Sequence, residues 1–310
     1  MQSESPRPRV TAAGFLARDG LRRIDLGGRR VLHPGQWRWL RAIGWSLVLL
    51  LSVAAASLAV SARIGAWWPG TSGLAVLAPY LASMATALAV YTLAVRLGED
   101  RWPSELAPRQ MVPQLALGLL LGAAMFAAVM GIMAAGGFYE IRFVAPAPAW
   151  IAVGKALQAG VVEELMLRAI LLRLVWWAFG AWPAFVASAL LFGVAHLGNP
   201  NATVFAAVCI ALEAGVMLGA FYVLTGRLWM SIGVHVAWNF AQGYLFGAAV
   251  SGTDMGPALA HSGARAGVPE WLTGGAFGPE ASLPALLVCA VVGGAVTRRA
   301  WRAGRFSGDR

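Results

Sequence analysis

Between Arg41 and Arg63 the chain runs from Ala42 to Ala62 without a charged side chain. At about 1.5 Å per residue an α-helix of that stretch crosses a hydrocarbon core of about 30 Å. A largely apolar segment with no charge to offer water folds favourably only in lipid or in a large core, so this run dominates the reading. Others follow it: the pattern predicts spans at about 73–95, 111–135, 150–178, 183–197, 203–225, 228–249 and 282–297. Composition agrees, with 59% hydrophobic and 12% charged residues and a mean hydropathy of +0.67, against roughly half and a quarter in soluble domains. The expected fold is all-α, a polytopic membrane helical bundle of about eight transmembrane helices with an active site buried in the membrane. Breaks are read at Pro183, at Gly198-Asn199-Pro200-Asn201 and at Thr225-Gly226-Arg227.

The formal charge of +10 raises the question of nucleic acid, and its distribution answers it. Nine arginines lie in residues 1–41 and five in 298–310, flanking apolar segments. No basic stretch is interleaved with a soluble motif, so a nucleic-acid partner is not expected. With eight spans, nineteen Lys and Arg fall on the side of the termini and three (Arg63, Arg142, Arg265) on the other, with Lys155 and Arg168 inside the membrane. By the positive-inside rule both termini are cytoplasmic. The domains read as an Arg-rich cytoplasmic tail at 1–41, a transmembrane domain at 42–297 and a basic tail at 298–310. The 41-residue tail is too long and too dispersed in arginine for a cleaved signal peptide. The segment from Phe15 to Arg30 is read equally well as resting on an anionic leaflet or as a flexible tail. Cys209 and Cys289 are isolated in apolar runs, as core residues. Trp67-Trp68 and Trp176-Trp177 read as interfacial anchors, His33 and His261 as loop residues, and 251–281 as a Gly-rich connection.

One span breaks the apolar rule. It carries Glu163, Glu164 and Arg168, which uncompensated would cost on the order of 8–10 kcal/mol at the bilayer centre. Glu164 and Arg168 are one turn apart and able to pair, whereas Glu163 points about 100° away around the axis. Two more embedded polar sites follow: His196 at the end of a short helix, and His235 with Asn239 one turn apart on another. Carboxylate, imidazole and amide together can activate water, move its proton and stabilise an oxyanion. The same residues could instead form a latch between helices. Glu213 is a further embedded carboxylate, read first as a partner for Arg227 or Lys155.

In order, Glu163-Glu164-x-x-x-Arg168, Phe192-x-x-x-His196 and His235-x-x-x-Asn239 resemble the three motifs of the CPBP intramembrane proteases, also called the Abi or CAAX-protease family, which includes the CAAX prenyl endopeptidases. Gly219 to Trp229 and Gly98 to Arg109 are similar to further family segments, so the resemblance covers about 96–250. Ala169 departs from a glycine that commonly follows the motif arginine, and Met166-Leu167 from a phenylalanine-containing pair. The resemblance implies an integral-membrane hydrolase of the CAAX-type endopeptidase kind, metallo- or glutamate-dependent. In it Glu163 and His196 activate water against a peptide bond, His235 and Asn239 stabilise the oxyanion, and Glu164 and Arg168 support them. Partners are then the bilayer and a membrane-associated or CAAX-like protein or peptide; the Arg-rich, Lys-poor composition points to a bacterial inner membrane. No cofactor is required on the favoured reading. Zinc, held by Glu163, His196 and His235, stays open, although H-E-x-x-H is absent. The competing readings are a non-catalytic scaffold or bacteriocin-immunity protein built on the same polar cluster, and a small transporter, for which no inverted repeat is visible.

Overall fold

In the computed structural model, residues 22–307 other than 71 and 72 are described. The expected segment from Phe15 to Arg30 therefore lies partly outside the described residues. Its described part is no loose tail: the Arg22 backbone N–H donates to Thr225 O, and Arg30 Nη1 donates to Leu97 O at 2.7 Å.

The long apolar runs become helices. We label them α1 (Arg38–Trp67), α2 (Gly73–Glu99) and α3 (Met111–Ala135). Next, α4 continues unbroken through α-helical Trp150–Glu164, π-helical Leu165–Leu172 and α-helical Arg173–Phe179. A short α5 (Ala181–Ala195) and α6 (Val204–Thr225) follow. Then come α7 (Trp229–Phe240, with a π-helical Ala241–Leu245 beyond it) and α8 (Leu283–Arg302). Six are long and apolar enough to cross a bilayer: α1, α2, α3, α5 with its following turn, α6 and α8. The molecule is thus a helical membrane bundle, in which α4 and α7 carry most of the embedded polar groups. Outward faces are greasy, as lipid requires: Leu51, Leu58, Leu120 and Val291 are all exposed.

The expected breaks are where the chain turns. Gly180 sits at φ +92° between α4 and α5. Thr203 caps α6 by accepting the Ala206 N–H at 3.0 Å. Gly226 ends α6 at φ +63°, and a Cβ there would lie 2.5 Å from Arg22 O. Chain turns gather at two ends. One unites the segment from Arg22 onward, the 100–110 connection, the α4–α5 and α6–α7 turns and the end of α8. There Arg173 bonds Glu99 through both terminal nitrogens at 2.8 and 2.7 Å, and Leu228 N–H donates to Glu105 O. At the opposite end β1 (Tyr139–Phe143) pairs antiparallel with β2 (Ala260–Ala264), Tyr139 opposite Ala264.

This second end corrects one expectation. The 251–281 segment is not a bare connection; it supplies β2, a one-turn helix (Glu270–Thr273) and a cover over the bundle. Ser251-to-Gly278 contacts hold it down, including Gly252 N–H to Phe277 O at 2.7 Å. Trp176 also departs from its expected interfacial place: it is buried, its ring 6.2 Å from that of Phe306.

Helix α7 is the central post, with every residue from Met230 to Asn239 buried. Glycines let α3 press against it. A Cβ at Gly122 would meet Val234 O at 2.3 Å and one at Gly118 would meet Met230 O at 2.6 Å. Such close approach of small residues is how membrane helices pack without a hydrophobic driving force.

Candidate active site

The Glu163-Glu164 pair closes the α-helical part of α4, and the π-helical turns begin at the next residue. Two side chains 100° apart on one helix enter different surroundings. Glu164 is fully buried: its Oε2 accepts from Arg168 Nε at 3.1 Å and its Oε1 from His235 Nδ1 at 3.1 Å. Arg168 is buried too, and each of its nitrogens is used. Nη1 donates to Ser188 Oγ at 3.1 Å on α5, Nη2 to Ala214 O at 3.0 Å on α6, and its guanidinium lies 5.0 Å from the Phe192 ring centroid. One ion pair thereby ties α4, α5, α6 and α7 together, and the insertion cost of both charges is offset by fixed partners. Glu163 lies outside this pair: its Oε2 approaches His235 Nε2 at 3.9 Å, and with 37% of its side chain exposed it lines a cavity.

Helix α5 ends at Ala195, so His196 begins a short 3₁₀ turn rather than a lipid-facing helical turn. Its Nδ1 lies 2.8 Å from Phe192 O. A carbonyl only accepts, so Nδ1 is the donor in this bond. Both ring nitrogens of His235 face carboxylates: Nδ1 lies 3.1 Å from Glu164 Oε1 and Nε2 3.9 Å from Glu163 Oε2. Asn239 follows one turn later on the same face. The Phe192 ring stands against both imidazoles edge-on, 4.9 Å from His196 and 6.1 Å from His235 between centroids.

Glu163, His196, His235 and Asn239 line one open cavity of about 410 Å³, together with Lys155 and Ser251. Although His196 closes its helix and His235 lies mid-way along its own, the shortness of α5 brings them to the same depth. The arrangement offers a partly exposed carboxylate, two imidazoles and an amide around one cavity. Among the described residues no three His, Cys, Asp or Glu side chains converge closely enough to hold a metal ion, Glu163, His196 and His235 included.

Residues 145–241 match the model of the family described as Type II CAAX prenyl endopeptidase Rce1-like. That segment, about a third of the chain, is similar to the CAAX-protease family. Neither the comparison with curated proteins nor that with solved structures gives a match. All six motif residues, from Glu163 to Asn239, fall inside this matched segment, whereas α1 to α3 and the cover at 246–282 lie outside it.

Two residues around the candidate site escaped sequence reasoning. Ser251 and Glu280 reach it from the cover, where the Ser251 N–H and Oγ donate to Glu280 Oε1 at 2.5 and 2.8 Å. The usable signal was an acidic residue set between Pro279 and the capping Ser282, immediately ahead of an apolar span. Glu213 corrects its expected pairing. Lys155 Nζ donates to Asp254 O at 2.6 Å instead, while Glu213 Oε1 has no hydrogen-bond partner. It shares with Glu280, His196, His235 and Asn239 a smaller cavity of about 40 Å³, room for about three waters. His33 and His261 lie away from the site, and Cys209 and Cys289 are buried and unpaired by disulfide.

Proposed function

We propose that this protein is an intramembrane endopeptidase that hydrolyses a peptide bond in a membrane-associated protein or peptide with water activated by Glu163 and His196. The observation that carries this is the division of labour between adjacent glutamates: Glu164 is consumed by Arg168 and His235, while Glu163 faces the cavity beside two imidazoles. A latch between helices explains Glu164 and Arg168, but it leaves Glu163 with a 3.9 Å approach to His235 and a side chain 37% exposed, and His196 bonded to a carbonyl of its own helix.

In this mechanism a water held by His196 Nε2 gives its proton to Glu163 as its oxygen attacks the scissile carbonyl carbon. The developing oxyanion takes hydrogen bonds from the Asn239 amide and from the His235 Nε2–H. As the C–N bond breaks, Glu163 returns the proton to the departing amine, so the carboxylate is regenerated. Glu164 and Arg168 hold the His235 ring and the α4 backbone in register. No step is routed through a metal, because the donors do not converge on one.

The test is cleavage of a membrane-peptide library by purified wild-type protein beside Glu163→Ala and His196→Ala, each with and without a strong zinc chelator. Loss of about 10²–10⁴ in rate in both variants, with the wild type indifferent to chelator, is the expected result. Cleavage that persists in both variants overturns the reading, and loss on chelation alone replaces the glutamate mechanism with a metal-dependent one.

A further inference from the structure

The two ends of the bundle differ in charge, and the cavity opens at only one of them. The end formed by the segment from Arg22, the 96–109 region, the α6–α7 turn and the close of α8 holds Arg96, Arg101, Arg109, Arg227, Arg299 and Arg302 among others. At the other end only Arg63, Arg142, Lys155 and Arg265 supply positive charge among the described residues. The site belongs to that second end. Its cavity is walled by Lys155 and Gln158 near the start of α4, by Asn199 in the α5–α6 turn, and by Ser251, Thr253 and Met255 from the cover. No residue of the Arg-rich end lines it. Lys155 bridges wall and cover through its bond to Asp254 O.

We propose that the cavity opens on the extracytoplasmic face of the membrane, and that the substrate is a polypeptide whose scissile bond emerges from the outer leaflet. The inference rests on the endopeptidase reading for the word substrate, and on charge asymmetry for the sidedness. Arginine-rich connections resist transfer across an energised membrane, so the Arg-rich end stays cytoplasmic and the poorly charged end is exported. Eight alternating helices then place the α4 start, the α5–α6 turn and the 246–282 cover outside. A C-terminal prenyl-cysteine peptide is presented at the cytoplasmic surface, the wrong side for this mouth. The lining argues in the same direction: Gln158, Asn199, Asn239, Ser251 and Thr253 offer hydrogen bonds along the cavity, which suits hydrated, extended peptide better than a hydrocarbon chain.

Sidedness is read without any activity. Single cysteines are introduced at two exposed positions, Ala266→Cys in the cover and Ala303→Cys beyond α8, and intact bacterial cells expressing each variant are treated with a membrane-impermeant maleimide. Buried Cys209 and Cys289 make the wild type the blank. Labelling of Ala266→Cys before permeabilisation, and of Ala303→Cys only after it, is expected. The reverse pattern, or labelling of both in intact cells, overturns the proposal. In right-side-out vesicles, cleavage of an outside-added peptide that is lost in Glu163→Ala extends the result to the substrate. Persistence of that cleavage in Glu163→Ala would sink the protease reading while leaving the labelling result standing.

Discussion

At the scale of single residues, two glutamates that are chemically identical and adjacent in sequence meet opposite fates. Helical spacing alone assigned Arg168 to Glu164 and left Glu163 unpaired, so that much was legible: it needs only a fixed 100° step. The surroundings of Glu213 were not legible, because they include Glu280, on a distant segment whose path no local pattern fixes. The division predicts different failures. Glu163→Gln keeps the size of the side chain and loses the proton acceptor, so cleavage should fall by at least about 100-fold while the melting temperature of the detergent-solubilised protein stays unchanged. Arg168→Ala instead leaves Glu164 buried beside one partner fewer and opens the tie among four helices. It should cost about 3–5 kcal/mol, read as a large drop in melting temperature in the same detergent.

Elements show how the site is held at depth. The α3–α7 seam depends on glycines facing backbone: a methyl at Gly122 would have to push Val234 O away, and His235 is the next residue. Gly122→Ala should therefore lower both the melting temperature and the cleavage rate. Its matched control is Gly131→Ala on the same helix, where a Cβ meets nothing within 4 Å and the gain in helix propensity is at most about 1 kcal/mol. If both variants melt alike, the seam is not what positions His235. The helices themselves were largely readable, since apolar length and Gly or Pro breaks set them from local sequence. The cover was not. β2 reads Ala-His-Ser-Gly-Ala, too short and too polar to announce a strand, and it is extended only because Tyr139–Phe143 lies beside it.

Across the whole molecule, two buried ion networks sit at different depths. The upper one binds α4 to α5, α6 and α7 around Arg168. The other joins Glu99 and Arg173 with Arg101 and Glu105 at the Arg-rich end, where Tyr91 also donates to Glu105. Outside the spans, the paired carboxylates around Arg101 hold its guanidinium firmly in the charged form, above its already high range despite burial. Arg173→Ala should destabilise by about 3–5 kcal/mol yet leave KM for a cleaved peptide unchanged, because no residue of that network lines the cavity. A raised KM with an unaltered melting temperature would contradict this separation. Charge asymmetry between the ends was visible in sequence; which end the cavity faces was not, as that depends on which turns fold over α4 and α7.

Phe306 lies 4.3 Å from the Trp182 ring and nearly parallel to it, and meets Phe185 edge-on at 5.3 Å. Those partners open α5, the helix that delivers His196. During synthesis α5 enters the membrane long before residue 306 exists, so its foot waits without its aromatic clamp until nearly all of the rest has been translated. The candidate site is in this sense fastened late: a chain still attached to the ribosome, with its last residues untranslated, holds His196 on a helix whose foot lacks these ring contacts.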